Sequence, residues 1–187
     1  MAVPYNAIYK RRGLLMIPPC LFILFVFYRE TESAALVWPA GLALFCAGVG
    51  IRIWAQMHLH YRLRERKILT TTGPYVFVRN PIYIGNTLML LGVTVLSELL
   101  WFLPVMLLWC TVVYHFVVRR EETHLADKYG EPYREFMRSV PRWVPRLGGG
   151  ETSVYGVSRF AARSILVELP CFLLILPFVV KEVWSTL

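Results

Sequence analysis

The sequence predicts an all-α protein, a polytopic membrane helical bundle of about five transmembrane helices. Composition is the first reason: the 187 residues are 57% hydrophobic and 17% charged, with a mean hydropathy of +0.52, the balance of a membrane protein. The second is that the apolar residues fall in runs long enough to cross, or nearly cross, a bilayer. The third is the position of the cations. Of the 20 Lys and Arg, 17 fall in the three segments that this span count puts on one side, and Lys and Arg accumulate on the cytoplasmic side. A net charge of +8 therefore points to a membrane surface, and nucleic acid is not an expected partner.

Residues 14–28 form the first apolar run, behind Lys10, Arg11 and Arg12. No small-residue cleavage pattern follows it, so it is expected to stay as an anchor, with Pro18 and Pro19 kinking or delaying its helix. Residues 29–33 read as a short polar turn. The second span covers residues 34–57, where Ala43, Cys46, Ala47, Gly48 and Gly50 would let another helix approach closely. Arg52, near its end, can snorkel to the interface.

Residues 58–72 are basic and lead into the stretch around which the chain is organised, residues 73–85. Gly73-Pro74 and Asn80-Pro81 are turn dipeptides, and Pro81 suits a helix start with Asn80 as its N-cap. Residues 82–96 form the third span, Ser97-Glu98 a tight hairpin, and residues 99–118 the fourth. Antiparallel packing of these two puts Arg79 and Arg119 on one side of the membrane. Residues 119–138 read as a mostly cytoplasmic helical segment broken near Gly130-Glu131-Pro132, with Leu125, Tyr129, Tyr133 and Phe136 at helical spacing on its apolar side. Residues 140–145 are an extended interfacial strap, and Gly148-Gly149-Gly150 a flexible linker. Residues 164–180 are apolar despite Glu168, Pro170 and Pro177, and fit either a fifth span or a segment lying in the interface. The expected division is a membrane core at residues 1–147, then a linker and C-terminal apolar helix at 148–187.

Cys20, Cys46, Cys110 and Cys171 each stand alone in an apolar run and read as packing residues. The four histidines are scattered, so no metal site is expected. The chemistry lies at one end of the hairpin, where Asn80, Tyr83, Arg119, Arg120, Glu121 and Glu122 should converge at one depth. A cluster of ionisable groups at the membrane edge is a candidate functional site by default; the plainer alternative is a tight turn beside a solvated helix end.

Gly73-Pro74-Tyr75, Arg79-Asn80-Pro81, Tyr83 and Gly85, followed by Glu121-Glu122, Leu125, Tyr129-Gly130, Tyr133 and Val140-Pro141, resemble the paired motifs of the isoprenylcysteine carboxyl methyltransferase family. Phospholipid N-methyltransferases share a related form. The resemblance runs from about Arg52 to Leu147. It implies an integral membrane methyltransferase that holds S-adenosyl-L-methionine on the cytoplasmic side, between the first motif and the paired glutamates. Within that frame the expected cofactor-binding residues are Tyr75, Arg79, Asn80, Pro81, Tyr83, Gly85, Glu121 and Glu122, and the expected catalytic residues are Arg119, Arg120 and Glu122. The family usually carries His where this chain has Asn80 and Lys67, so no histidine base is expected there. The partners implied are a lipophilic or lipid substrate and the membrane lipids themselves.

The chemistry suits these residues. Methyl transfer from a sulfonium is an in-line displacement that needs alignment and exclusion of water, with neither metal nor covalent nucleophile. A carboxylate acceptor would be oriented by Arg119 or Arg120, whereas an amine acceptor would need one of the glutamates as base. Phospholipid N-methylation is the nearest alternative function. A sterol-reductase-like protein and a non-enzymatic membrane scaffold are the others.

Overall fold

A computed structural model describes residues 13–26, 34–148, 150, 152, 154 and 156–185. The basic residues 10–12, the polar turn at 29–33 and Gly149 lie outside them. Every regular element among the described residues is helical.

Helix α1 (Ile17–Phe25) follows a 3-10 turn at Leu14–Met16 and carries its two prolines in its first turn. There the missing amide hydrogens cost nothing, so the prolines delay the helix and do not kink it. Helix α2 (Ala34–Tyr61) passes into a π-helical turn at Arg62–Arg66 and ends at Lys67, which is left-handed with φ 51°. A 3-10 turn at Gly73–Val76 precedes α3 (Pro81–Leu96). Glu98 (φ 63°) reverses the chain into α4 (Leu103–Tyr129), which runs unbroken from the apolar region into the charged one. The charged segment after Arg119 is therefore the end of the fourth span helix. Gly130 stops it at φ 64° and α5 (Glu131–Ser139) turns away. Beyond the linker, α6 (Ala161–Glu168) and α7 (Leu176–Ser185) are joined by a 3-10 stretch at Leu169–Leu174 that accommodates Pro170.

Three helical segments, Ala35–Arg64, Leu100–Tyr129 and Val157–Val183, are long and apolar enough to cross a membrane, and Leu14–Phe25 and Pro81–Leu96 are shorter apolar helices. These are the five expected runs. Their outward faces are hydrocarbon: Leu36, Leu108 and Leu166 are 74%, 65% and 64% exposed, an arrangement suited to lipid and costly in water.

The tightest packing joins α2 and α3, which run antiparallel through reciprocal glycines seven residues apart on each helix. A Cβ on Gly48 would lie 2.6 Å from the Gly85 carbonyl oxygen, and one on Gly92 would lie 2.7 Å from that of Gly41. Close backbone approach of this kind is how helices associate where no hydrophobic effect separates them from lipid. Gly48 fills the role expected of it, Gly41 shares it, and Gly50 has nothing within 4 Å of its Cβ position.

The final segment lies antiparallel to α2. Phe160 packs on Tyr61 with ring centroids 6.3 Å apart, Phe172 on Phe45 at 5.5 Å, and Lys181 Nζ donates to the Ser97 carbonyl at 3.3 Å. Contacts at both ends of the bundle mean that this segment runs its whole depth, which favours the span over the interfacial alternative.

Candidate functional site

The site is built on the turn after α2. Gly73 has φ +65°, and a Cβ there would lie 2.4 Å from the His58 ring, so both backbone and space require glycine. His58 is held from behind, its Nδ1 3.0 Å from Thr72 Oγ1. Tyr75 is buried with Ala55, Tyr133, Phe136 and Val140, against which Leu125 and Tyr129 also pack. The apolar side of the charged segment thus covers this turn. Burial first, and then the Glu121 charge, push the Tyr75 hydroxyl above the ordinary phenol range; burial followed by the Glu122 charge does the same for Tyr133.

The strap is laid across the turn like a strand. The Arg79 amide donates to the Pro141 carbonyl and the Arg146 amide to the Phe77 carbonyl, both at 3.0 Å. Arg146 Nε reaches the Val76 carbonyl at 3.0 Å. The strap's role is therefore to clamp the turn. Asn80 stands at the N-cap position of α3, but its side chain makes no capping bond. Its Nδ2 donates to the Arg142 carbonyl at 3.4 Å, which ties the helix start to the strap.

At the centre is Glu122, buried on α4. Its two oxygens accept from Arg142 Nε at 3.1 Å and Nη2 at 2.5 Å, and Arg79 Nη2 lies 3.4 Å from Oε1. Arg79 Nη1 also donates to the Met137 carbonyl at 3.3 Å, while its Nε is buried with no hydrogen-bond partner. Two guanidiniums around one buried carboxylate tie the turn, the α4 end and the strap into one unit. A short distance along α3, the rings of Tyr83 and Tyr114 pack with centroids 5.0 Å apart.

The structure brings Arg79, Asn80, Tyr83 and Glu122 to one end of the bundle, with Glu121 half-buried beside them. Arg119 lies on the exposed side of α4 and Arg120 is half-buried. Pro81 is buried as the first residue of α3, and Gly85 serves helix contact, a Cβ on it meeting Arg52 Cγ at 2.6 Å. Sequence reasoning missed Arg142; its only signal was a basic residue between the two prolines of the strap. It also missed the partner of Arg52. That side chain forms an ion pair with Glu168 at 2.7 Å, because a buried carboxylate on the final segment offers it a partner. Among the described residues no group of three or more His, Cys, Asp or Glu could hold a metal ion.

With this geometry in view, the comparisons with known proteins are decisive for the family. The sequence profile of the phospholipid methyltransferase family matches residues 37–132, which carry α2, the turn, α3 and α4. The chain belongs to this family. Two bacterial relatives are the cobalt-zinc-cadmium resistance protein CzcN of Cupriavidus metallidurans, 33% identical over 131 residues, and the nickel-cobalt-cadmium resistance protein NccN of Alcaligenes xylosoxydans xylosoxydans, 30% identical over 115. These matches cover 66% and 62% of this chain, and 59% and 52% of the relatives. The protein-S-isoprenylcysteine O-methyltransferase of Schizosaccharomyces pombe is 28% identical over 140 residues, 69% of this chain and 55% of the relative. The chain therefore spans between half and three-fifths of the length of these relatives. No solved structure matches it. Membership of the phospholipid methyltransferase family, with three long apolar helices, makes this an integral membrane protein.

Proposed function

We propose that this member of the phospholipid methyltransferase family transfers a methyl group from S-adenosyl-L-methionine to a lipophilic acceptor at the cytoplasmic face, most like isoprenylcysteine carboxyl O-methylation. The observation that carries this reading is the Arg79–Glu122–Arg142 cluster, which fuses the two motif regions into one polar end beside the Tyr83–Tyr114 pair.

The residues present fit the cofactor. The buried, unpartnered Nε of Arg79 is a donor suited to a carboxylate, and Asn80 adds an amide beside it. Glu122 is committed to two guanidiniums, so its role is to hold them, and Glu121 takes the cofactor's amino group or ribose. The paired faces of Tyr83 and Tyr114 suit a cation such as a sulfonium. Tyr75, packed under the turn, and Pro81 and Gly85, packed in the helix contact, shape the site from behind.

The cofactor, when bound, supplies an electrophilic methyl group; the chain aligns it and keeps water out. Arg119 or Arg120 orients a carboxylate acceptor, which is already ionised at neutral pH. An amine acceptor would require proton removal, for which a glutamate at this end is the candidate.

The second reading is phospholipid (ethanolamine) N-methylation, favoured by the description of the matched family. Membranes containing the protein, incubated with methyl-labelled cofactor and each acceptor class, separate the two. Label released by alkali indicates an ester and supports the first. Alkali-stable label in phospholipid supports the second, and no transfer to either class contradicts both.

A further inference from the structure

A second polar cluster joins α2, α3 and α6. Arg52 on α2 gives Nε and Nη2 to the Glu168 carboxylate on α6 at 2.7 and 2.9 Å, and its Nη1 donates to Asn86 Oδ1 on α3. Gln56, one turn along α2, donates to the same carboxylate, and Cys171 Sγ lies 3.3 Å from it. Glu168 is completely buried. Both charged residues belong to the segments long enough to cross a membrane. An ion pair on a fully buried carboxylate contributes little net stability compared with apolar residues of similar size, and ionisable residues inside membrane spans mark function more often than packing.

Contacts lead from this pair to the candidate site. The aliphatic part of Arg52 covers Gly85. Asn86, the next residue, stands three residues beyond Tyr83 on α3, where residues at that spacing share a helix face. The Tyr114 ring packs on Tyr83. The ion pair thus joins the C-terminal segment, which lies outside the matched residues 37–132, to the turn of α3 that carries Tyr83 and, through it, the aromatic wall of the site.

We infer that Glu168 is a positioning residue for that wall: by fixing the Arg52 guanidinium it fixes Gly85 and Asn86 on α3, and with that turn Tyr83, on which Tyr114 packs. The C-terminal helices then belong to the working unit of the protein. The inference rests on the proposed function only through the role given to Tyr83 in cofactor binding.

The test uses the full chain in detergent with 3-fluorotyrosine placed at Tyr83, read by fluorine NMR and by titration calorimetry with S-adenosylhomocysteine. Glu168→Gln is expected to shift the fluorine resonance and weaken binding at least fivefold. The exchanged pair Arg52→Glu with Glu168→Arg is expected to recover most of both. A folded Glu168→Gln protein with wild-type resonance and wild-type affinity would overturn the inference. Should Glu168→Gln fail to fold, the apolar pair Arg52→Met with Glu168→Met decides: a displaced resonance supports positioning, and a wild-type resonance and affinity reduce the pair to packing. If the unmodified protein binds no S-adenosylhomocysteine, the methyltransferase reading falls by itself, and the fluorine comparison still judges the coupling.

Discussion

Glu122 on α4 and Arg142 on the strap, 20 residues apart in sequence, meet through two hydrogen bonds of 3.1 and 2.5 Å, and Arg79 approaches the same carboxylate from the turn at 3.4 Å. Three separate stretches of chain are thereby held by one buried acid. Removing it leaves two guanidiniums facing each other; removing one guanidinium leaves the acid with the other.

Glu122→Gln is expected to destabilise the protein by about 3 kcal/mol, the scale for breaking a buried ion pair from one side. Arg142→Ala should cost less, about 1–2 kcal/mol, because its side chain is 31% exposed and water screens part of the interaction. Denaturant unfolding in detergent measures both. Strong coupling between the two in a double-mutant cycle is the expected signature of direct contact.

The α2–α3 contact makes a sharper steric prediction. Gly48→Ala places a methyl group 2.6 Å from the Gly85 carbonyl oxygen, where backbone must move, so a loss of about 1–3 kcal/mol is expected. Gly50→Ala, two residues away with nothing within 4 Å, should be neutral or should stabilise by up to about 1 kcal/mol through helix propensity. Thermal unfolding of the two variants side by side checks the difference.

Tyr75 and Tyr133 both have hydroxyls pushed above the ordinary phenol range, burial being the larger cause in each. A raised folded-state pKa favours the protonated form on folding. The associated stability is fully present below the unfolded phenol value of about 10 and is lost as pH rises beyond it. Spectrophotometric titration should therefore show these two tyrosines ionising after exposed ones. Tyr75→Phe should flatten the alkaline loss of stability; an unchanged slope would count against this account.

The hairpin and the span count were legible because run length and the position of cations are properties of contiguous sequence. The same holds for Gly73-Pro74 and Asn80-Pro81, whose backbone restrictions are local. Partners far along the chain were not legible. Asn80 was expected to cap its own helix, yet Arg142, 62 residues on, supplies the carbonyl it binds. Arg52, near the end of its span, could be read only as able to snorkel, because its counter-ion, Glu168, lies 116 residues away on the final segment. The paired motifs pointed to the end of the bundle where Arg79, Asn80, Tyr83 and Glu122 meet, while Arg142, which joins the strap to Glu122, came from tertiary structure.

The central claim is that the two motif regions form one receptor for the methyl donor. Titration calorimetry of S-adenosylhomocysteine into the purified, folded protein tests it most directly. The account predicts saturable binding of one molecule per chain, weakened at least tenfold by Arg79→Ala and by Glu121→Ala. Absence of binding by the folded protein, or wild-type affinity in both variants, would contradict it.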